Sequence, residues 1–343
     1  YRADIVRLIH GDTNPEGPGF KEKLIKSPCN KNYKGKNQKI HGGSYGVVHA
    51  DHRMDVASFT LQAFIFPTTP DKGVQGIVTK WADPQKAGYG MFVDEEGCLA
   101  AWVGDGKRVV KVSSGKPLLR KVWYLAAVTF DAKTKRIKVY QQPVVTSANG
   151  GLGMALLHPA SETTATVSKP CNIKPKAHNA PLIMAAATKK ADSGRAVCGG
   201  HYKEALEPYA LPEQCYTYNG KIDRPRVANV ALDKNDIDAL ARGFKTCEAD
   251  LRRVVVGAWD FHANITDNIA STQIFDTSPN VLHGFVINLP ARGMTGYNWS
   301  GDDIVYHHKP EEYGAIHFHD DDIDDARWEV SFSYTIPKNL KSG

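Results

Sequence analysis

The sequence predicts an all-β protein built as an antiparallel β-sandwich, and three observations support that prediction. Between Ser58 and Pro143 several runs alternate apolar and polar side chains, as strands with one buried face do. Short clusters that contain Gly, Asp and Pro separate the runs and supply the tight geometry of hairpin turns. The runs also recur at even spacing, which is typical of two packed antiparallel sheets.

Six strands are predicted in this central stretch. In chain order they are Ser58–Phe66, Gly76–Trp81, Tyr89–Asp94, Cys98–Val103, Val122–Phe130 and Arg136–Tyr140. Farther along, Pro181–Ala187 and Val254–Phe261 each predict one more strand. The segment Leu157–Lys176 shows only a weak pattern, and Lys203–Gln214 has the character of an inserted loop.

One short helix is predicted near residue 240. Asp233 suits the N-cap, Asp236 follows at the third helical position, and Gly243 ends the helix. Its inward face consists of Ile237, Leu240 and Ala241. From Asp276 onward the chain becomes irregular, and a long irregular segment in a compact protein is often functional.

Both ends of the chain carry alternating strands that lack a local partner. Tyr1–His10 alternates from its first residue, and Trp328–Ile336 does the same near the other end. A strand needs partners to be stable, so we expect the two to share one small Ig-like β-domain into which the sandwich is inserted. The alternative is that each end strand pairs with the sandwich itself, and in either case we expect the chain to continue past Gly343.

These expectations define a domain plan. Residues 1–40 and 326–343 would form the discontinuous small β-domain, and residues 41–262 would form the sandwich. Residues 263–325 would be an irregular connecting segment.

Composition is that of an ordinary globular protein, with 343 residues, 42% hydrophobic and 23% charged. The sequence contains no run of eighteen apolar residues, which argues against a membrane helix. The net charge of +6 is uneven, because lysines crowd residues 21–39 and aspartates crowd residues 320–325. Few aromatic residues interleave with these lysines, so a solvated basic loop is favoured over a nucleic-acid site.

The six cysteines show no C-x-x-C spacing, which disfavours a zinc knuckle and a redox pair. Six in a chain of this length do not make a disulfide scaffold. We interpret them as reduced, buried thiols of a cytoplasmic protein, with a secreted, disulfide-bonded form as the alternative.

A metal site is one hypothesis for the segment near residue 320. Residues two apart on a strand share a face, so His317 and His319 would point together. Asp320 or Asp322 could then act as a third ligand or orient an imidazole, a set that suits non-haem iron or zinc. The favoured alternative is a hydrogen-bonded surface feature at a strand end.

A second candidate site lies on the glycine-rich loop that follows Pro290. Arg292, Thr295, Tyr297 and Trp299 could line a pocket or an interface there, although an ordered loop packed on the sandwich is the favoured interpretation. Paired glycosidase carboxylates are a third candidate, and the sequence disfavours them. The reasons are that Glu95 and its neighbour Glu96 lie in a predicted hairpin turn and that no E-x-D-x-E strand is present.

The strand motifs also resemble a known family. The order "SFTLQAFIFP…GIVTKW…GYGMFVDEEGCLAAWV…VWYLAAVTFD…IKVYQ", closed by "YNGKIDRPRVANVALDKNDIDALARG", resembles the laminin-G-like or concanavalin-A-like jelly rolls. That resemblance implies a jelly-roll sandwich. It also opens the hypothesis of a stand-alone carbohydrate-binding module that uses aromatic faces such as Trp102, Trp123 or Tyr89.

A more specific resemblance runs along nearly the whole chain. The opening "RLIHGD", the internal "PARGMTGYNW" and the closing "YGAIHFHDDD…W…F…IP…LKSG" resemble the N-terminal part of the large subunits of N,N-dimethylformamidases, with Lys203–Gln214 as a departure. The resemblance implies an amidohydrolase with one iron ion, whose ligands and catalytic domain would lie beyond residue 343. It also implies a small subunit and further large subunits as partners, and a structural or assembly role for this region.

Overall fold

The structure is a computed structural model that describes residues 40–149, 160–190 and 212–323. Contacts divide the chain into two compact units, one of them Gly42–Asp321 and the other Tyr1–His41 together with Asp322–Gly343. Apart from Ile40, the predicted small β-domain lies outside the described residues and stays a prediction.

Twenty strands are present in the described residues. The first ten are β1 Ile40–Gly42, β2 Tyr45–Val48, β3 Phe59–Pro67, β4 Gln75–Ala82, β5 Ala87–Val93, β6 Cys98–Asp105, β7 Val109–Pro117, β8 Tyr124–Asp131, β9 Arg136–Pro143 and β10 Ala165–Pro170. The others are β11 Leu182–Met184, β12 Ala187–Lys190, β13 Glu213–Cys215, β14 Gly220–Ala228, β15 Val255–Ala258, β16 Gln273–Ile274, β17 Gly284–Ile287, β18 Ala291–Met294, β19 Ala315–Phe318 and β20 Asp321–Ile323. The all-β prediction is confirmed.

Three α-helices accompany these strands: α1 Ala160–Thr163, α2 Lys234–Arg242 and α3 Ala249–Val254. Single 3-10 turns lie at His52–Met54, Phe244–Thr246 and Pro310–Tyr313. Helix α2 is the predicted helix, and the Asp233 side chain accepts a hydrogen bond from the backbone of Asp236 as an N-cap should. The sequence analysis predicted only one helix. It missed α1 and α3, because both are too short to show a helical period in the sequence. No helix in the described part of the chain is long and apolar enough to span a membrane.

Two large sheets form the sandwich. Sheet I has the strand order β10-β9-β8-β3-β14-β19-β18, and β15 also pairs with β14. Sheet II has the order β16-β17-β2-β11-β4-β5-β6-β7, and β12 and β13 extend it beside β4. The pairings within these sheets are antiparallel except for the contact of β12 with β4. Strands β1 and β20 form a separate two-stranded sheet.

The main hydrophobic core lies between the two sheets. On β3 the inward residues Phe59, Leu61 and Ile65 are fully buried, and the Phe59 ring stacks on Tyr89 of sheet II with centroids 4.4 Å apart. Burial of such side chains contributes about 25 cal/mol per Å² of apolar surface. This core is what the alternating pattern predicts.

A second core covers the outer face of sheet I. Phe64 and Phe66 point outward from β3, and helix α2 packs Ile237 and Leu240 into the same cluster. Strand β3 is therefore buried on both faces along its whole length. The prediction of half-buried strands was wrong here, because the covering helix and loops come from residues far along the chain.

Residues 263–325 are more regular than predicted. Strands β16 and β17 extend sheet II beside β2, and β18 and β19 extend sheet I beside β14. The sandwich thus reaches beyond residue 262. These strands span only two to four residues each, which is too short for an alternating pattern to stand out.

Strand β7 in the central stretch and strand β10 beyond it also escaped prediction. Strand β7 alternates buried and exposed positions but carries Lys and Ser where apolar residues are usual. Strand β10 is a largely exposed partner of β9 in a segment rich in Thr, Ser and Pro. Neither strand buries enough apolar surface to show in its sequence.

Candidate functional site

The residues of the metal hypothesis are held by other partners. The Asp320 carboxylate forms an ion pair with Lys72 at 2.6 Å and accepts a hydrogen bond from Asn219 at 2.5 Å. Burial raises the pKa of Asp320, but Lys72 and Asn219 outweigh burial and leave it below its usual range. His319 Nδ1 lies 3.2 Å from the Ser44 hydroxyl. Asp320 is therefore committed to a buried ion pair.

His317 lies on β19 opposite Lys221 of β14. Burial lowers the pKa of His317, and the neighbouring charges of Lys221 and His319 lower it further. Within the described residues, no group of three His, Cys, Asp or Glu side chains could hold a metal ion. The Asp320 carboxylate is held by Lys72, and the Asp322 side chain lies outside the described part. The metal hypothesis for His317, His319, Asp320 and Asp322 therefore stays a prediction.

The loop candidates Arg292, Thr295, Tyr297 and Trp299 are all partly buried on sheet I. Arg292 donates hydrogen bonds to Ser271 and Asn264, and the Trp299 indole donates one to the backbone of Asp303. These contacts match an ordered loop packed on the sandwich.

The aromatic residues of the carbohydrate hypothesis do not reach the surface. Trp102, Trp123 and Tyr89 are 2%, 0% and 2% exposed. Trp102 stacks on Phe92 with centroids 4.2 Å apart, and the ammonium of Lys111 lies 3.6 Å from its ring. These three positions offer no open aromatic platform for a sugar, because Tyr89 is buried in the core between the sheets and Trp102 and Trp123 pack into clusters on the outer faces.

Charged side chains lie beneath that second layer, on the outer face of sheet I. Strand β14 carries Lys221, Asp223 and Arg226, which are 8%, 0% and 1% exposed. A β-bulge shifts the register of β14 between Asp223 and Arg226, and Arg224 within the bulge has a positive φ of 47°. Bulges re-aim side chains and are common next to functional sites, whereas a charge run in a buried strand is unusual.

Arg226 forms the central ion pair of this cluster. Its guanidinium lies 2.5 Å from Asp260 and donates a second hydrogen bond of 2.6 Å to the carbonyl of Trp259. Burial raises the pKa of Asp260, but the attraction and hydrogen bond of Arg226 outweigh burial and leave the pKa below its usual value. This pair ties β14 to the segment that follows β15.

Asp223 contrasts with that pair. Neither of its carboxyl oxygens accepts a hydrogen bond of good geometry, and the nearby His262 Nδ1 also has no partner within the described residues. Burial raises the pKa of Asp223 to about 6, although Arg224 opposes the shift, and burial lowers the pKa of His262. Buried ionisable groups with shifted pKa values mark functional sites more often than surface groups do.

Lys221 completes the cluster. Its ammonium donates hydrogen bonds to the carbonyl and hydroxyl oxygens of Thr295 and lies 5.1 Å from the centre of the Phe66 ring. Burial lowers the pKa of Lys221 to about 8. The cluster is closed to solvent and therefore offers no open cavity for a substrate. Its ionisable side chains can still change their charge.

Two open depressions lie at one end of the sandwich. A cavity of about 200 Å³ and a broader one of about 570 Å³ share Asp55 and Val56 on their walls. Lys80 lines the smaller one, but its ammonium already donates to the carbonyls of His178 and Ala180 at 2.7 Å each. Both depressions are open, and the residues that line them do not form a convergent catalytic set.

The buried charge cluster was missed in the sequence, although its signal is visible. The run Asp223-Arg224-Pro225-Arg226 interrupts an otherwise apolar strand, and Asp260 and His262 follow another buried strand. Such charges would have indicated a covered polar site. Their convergence depends on pairings between distant segments, which the spacing along the chain does not reveal.

The two packed antiparallel sheets of the described residues define the class of protein, a concanavalin-A-like β-sandwich. Residues 41–157 match the family model described as the concanavalin A-like lectin/glucanases superfamily. The CBM40 module of the Ruminococcus gnavus IT-sialidase bound to α2,3-sialyllactose is similar at 10% identity with a TM-score of 0.38, covering 59% of this chain and 97% of that chain.

Two relatives are similar to this chain along its whole length. It is 34% identical over 349 residues to the N,N-dimethylformamidase beta subunit of Alcaligenes sp.. It is 35% identical over 352 residues to that of Paracoccus aminophilus. All of this chain and 42% of each relative are covered. The resemblance to dimethylformamidase large subunits is thereby confirmed, and the chain spans less than half the length of these relatives.

Proposed function

We propose that this chain is the N-terminal structural and assembly region of the large subunit of an amidohydrolase similar to N,N-dimethylformamidase. The observation that supports it is the alignment of all of this chain with 42% of two beta subunits of that name. The described part of the chain presents a covered sandwich rather than an open catalytic pocket. We therefore assign the chemistry to the part of the relatives that this chain does not cover.

The proposed reaction is hydrolysis of N,N-dimethylformamide, or a related small amide, to formate and an amine. A mononuclear iron would supply Lewis-acid polarisation of the formyl oxygen and a bound water of lowered pKa. The described residues contain no group of His, Cys, Asp and Glu that fits such an ion. We therefore propose iron ligands beyond residue 343 and derive no catalytic step from the residues described.

Assembly is the role proposed for the sandwich. The relatives are named beta subunits, which implies an enzyme of several subunits. We propose that surfaces of the sandwich contact a small subunit and further large subunits, in the cytoplasm.

The test compares the whole large subunit, produced together with its small subunit, with residues 1–343 alone. We expect the whole enzyme to release formate from N,N-dimethylformamide and to contain iron, and residues 1–343 to do neither. Turnover by residues 1–343 alone, or none by the whole enzyme, would contradict the proposal.

A matched variant tests the separate metal hypothesis. Replacing both His317 and His319 by Ala in the whole enzyme is expected to leave the iron content unchanged. Loss of iron in that variant would indicate that the metal site lies in the sandwich. Selective binding of an oligosaccharide on a glycan array, without amide turnover, would favour the stand-alone carbohydrate-binding alternative.

A further inference from the structure

Asp223 lies beneath two chain segments that are hydrogen-bonded to each other. We call residues 295–298 and 311–314 the cover. The backbone N–H of Gly296 donates to the carbonyl of Glu312 at 2.7 Å, and the Asn298 side chain donates to the backbone of the facing segment at 3.1 Å. These bonds close the cover over the outer face of sheet I.

The carboxyl group of Asp223 fits directly against two glycines of the cover. A Cβ atom added to Gly296 would lie 2.8 Å from Asp223 Oδ2, and one added to Gly314 would lie 3.1 Å from Oδ1. A larger residue at Gly296 would force the Asp223 carboxyl group to shift, and one at Gly314 would press against it. The close approach also means that the cover seals Asp223 tightly, since both carboxyl oxygens are buried.

A second acceptor converges on the same place. The Cβ position of Gly296 that is 2.8 Å from Asp223 Oδ2 is also 2.9 Å from Asn298 Oδ1, a buried oxygen without a hydrogen-bond partner in the described residues. Rotating the Asn298 amide would not help, because its Nδ2 already donates to the carbonyl of Glu311. One oxygen of each side chain therefore lies close to the same point of the cover, and neither of these two oxygens has a hydrogen-bond donor among the described residues.

The charged groups around Asp223 direct their hydrogen bonds elsewhere. The partners are Thr295 for Lys221, Tyr297 for Arg224, Trp259 and Asp260 for Arg226, and Ser300 for Glu312. His262 and the exposed Glu311 complete the titratable groups near the cluster. None of these groups donates to the carboxyl oxygens of Asp223.

We propose that Asp223 is held as the neutral carboxylic acid beneath the cover, and that the cover is a latch which loosens when Asp223 ionises. Below the transition the carboxyl group is buried without a charge. Above it, a buried carboxylate whose oxygens accept no hydrogen bond of good geometry lies against the cover, so opening of the cover to admit water becomes easier.

The sign and size of the effect follow from proton linkage. The pKa of Asp223 is about 6 in the closed state and 3.8 for an exposed aspartate. The closed state therefore binds more protons between these values, so its stability falls as the pH rises from about 4 to 6 and is lowest above 6. A difference of about two pH units corresponds to at most about a hundredfold loss of protection.

Hydrogen exchange of the cover amides tests the latch in the whole protein. After correction for intrinsic exchange, we expect cover amides to exchange faster at pH 8 than at pH 5. In the Asp223→Asn variant the side chain cannot ionise, so protection should become independent of pH. The exposed Glu95→Gln variant, in a hairpin turn, is the matched control and should behave as the wild type does.

An infrared measurement keeps the proposal testable if the variant does not fold. The C=O stretch of a buried protonated carboxyl should be present in the wild type at pH 5 and disappear near pH 6. Exchange that is independent of pH in the wild type would overturn the latch. So would a pH dependence that persists in Asp223→Asn and vanishes in His262→Gln, because the histidine would then be the titrating group.

Discussion

At the scale of single residues, Arg226 shows why a charge can be kept inside this sandwich. Its guanidinium is buried but bonded to Asp260 and to a backbone carbonyl, so its desolvation is offset by charged hydrogen bonds. A buried pair of this kind adds little net stability over an apolar pair, yet removing one partner leaves the other charge unpaired. Arg226 is therefore sensitive to substitution.

We expect Arg226→Met to lower the free energy of unfolding by about 3–5 kcal/mol at neutral pH, because Asp260 loses its buried partner. Urea unfolding at pH 7 and pH 5 measures this. In the wild type the lowered pKa of Asp260 contributes stability that is present above 3.8 and lost as the pH falls.

In Arg226→Met the pKa of Asp260 should rise above 3.8, so acidification to pH 5 should recover part of the lost stability. The control is Arg253→Met at an exposed ion pair, which should change stability by less than about 0.5 kcal/mol. Equal losses in the two variants would contradict a buried role for Arg226.

At the scale of secondary-structure elements, helix α2 and the bulge of β14 decide what covers sheet I. Helix α2 begins at a capped N-terminus and buries Ile237, Leu240 and Ala241 against the outer face of the sheet. Strand alternation places Asp223 on the outer face of sheet I while Ile222 remains in the core between the sheets, and the bulge after Asp223 returns Arg226 to the outer face. Local sequence thus sets the helix, and sheet pairing sets the bulge.

The N-cap gives a test at this scale. Asp233→Ala removes the acceptor for the backbone N–H of Asp236, and we expect it to cost about 1 kcal/mol of unfolding free energy. Asn235→Ala, an exposed position in the same helix, should be neutral or slightly stabilising because alanine favours helix. Thermal unfolding of both variants measures the difference, and identical midpoints would argue against capping.

At the scale of the whole molecule, layers on both faces of the sheets bury side chains that an open sandwich would leave accessible. All four cysteines in the described residues are free thiols, and three of them are buried. Burial raises the pKa of each of these thiols, and that of Cys215 reaches about 12. A buried thiol of raised pKa reacts slowly, because the thiolate is the reactive form.

We therefore expect Cys98, Cys171, Cys215 and Cys247 to react with a thiol reagent only as the molecule unfolds. Mass spectrometry of the labelled protein, native against urea-unfolded, assigns the reaction to each cysteine. Rapid labelling of the buried Cys171 in the native protein, at the rate of a free thiol, would show that the layers open readily.

The sequence by itself determined the strands β3 to β6, β8, β9, β11 and β15, the helix α2, and the resemblance to dimethylformamidase large subunits. The strands and the helix are local features, because alternation, turn residues and a cap act within a few positions of one another. The tertiary structure decided that Trp102 and Trp123 are covered, that Asp320 pairs with Lys72, and that Asp223 is buried against Gly296 and Gly314. Each of these depends on segments that are distant along the chain, so burial and pairing, and with them the polar centre, emerge only when the sheets assemble.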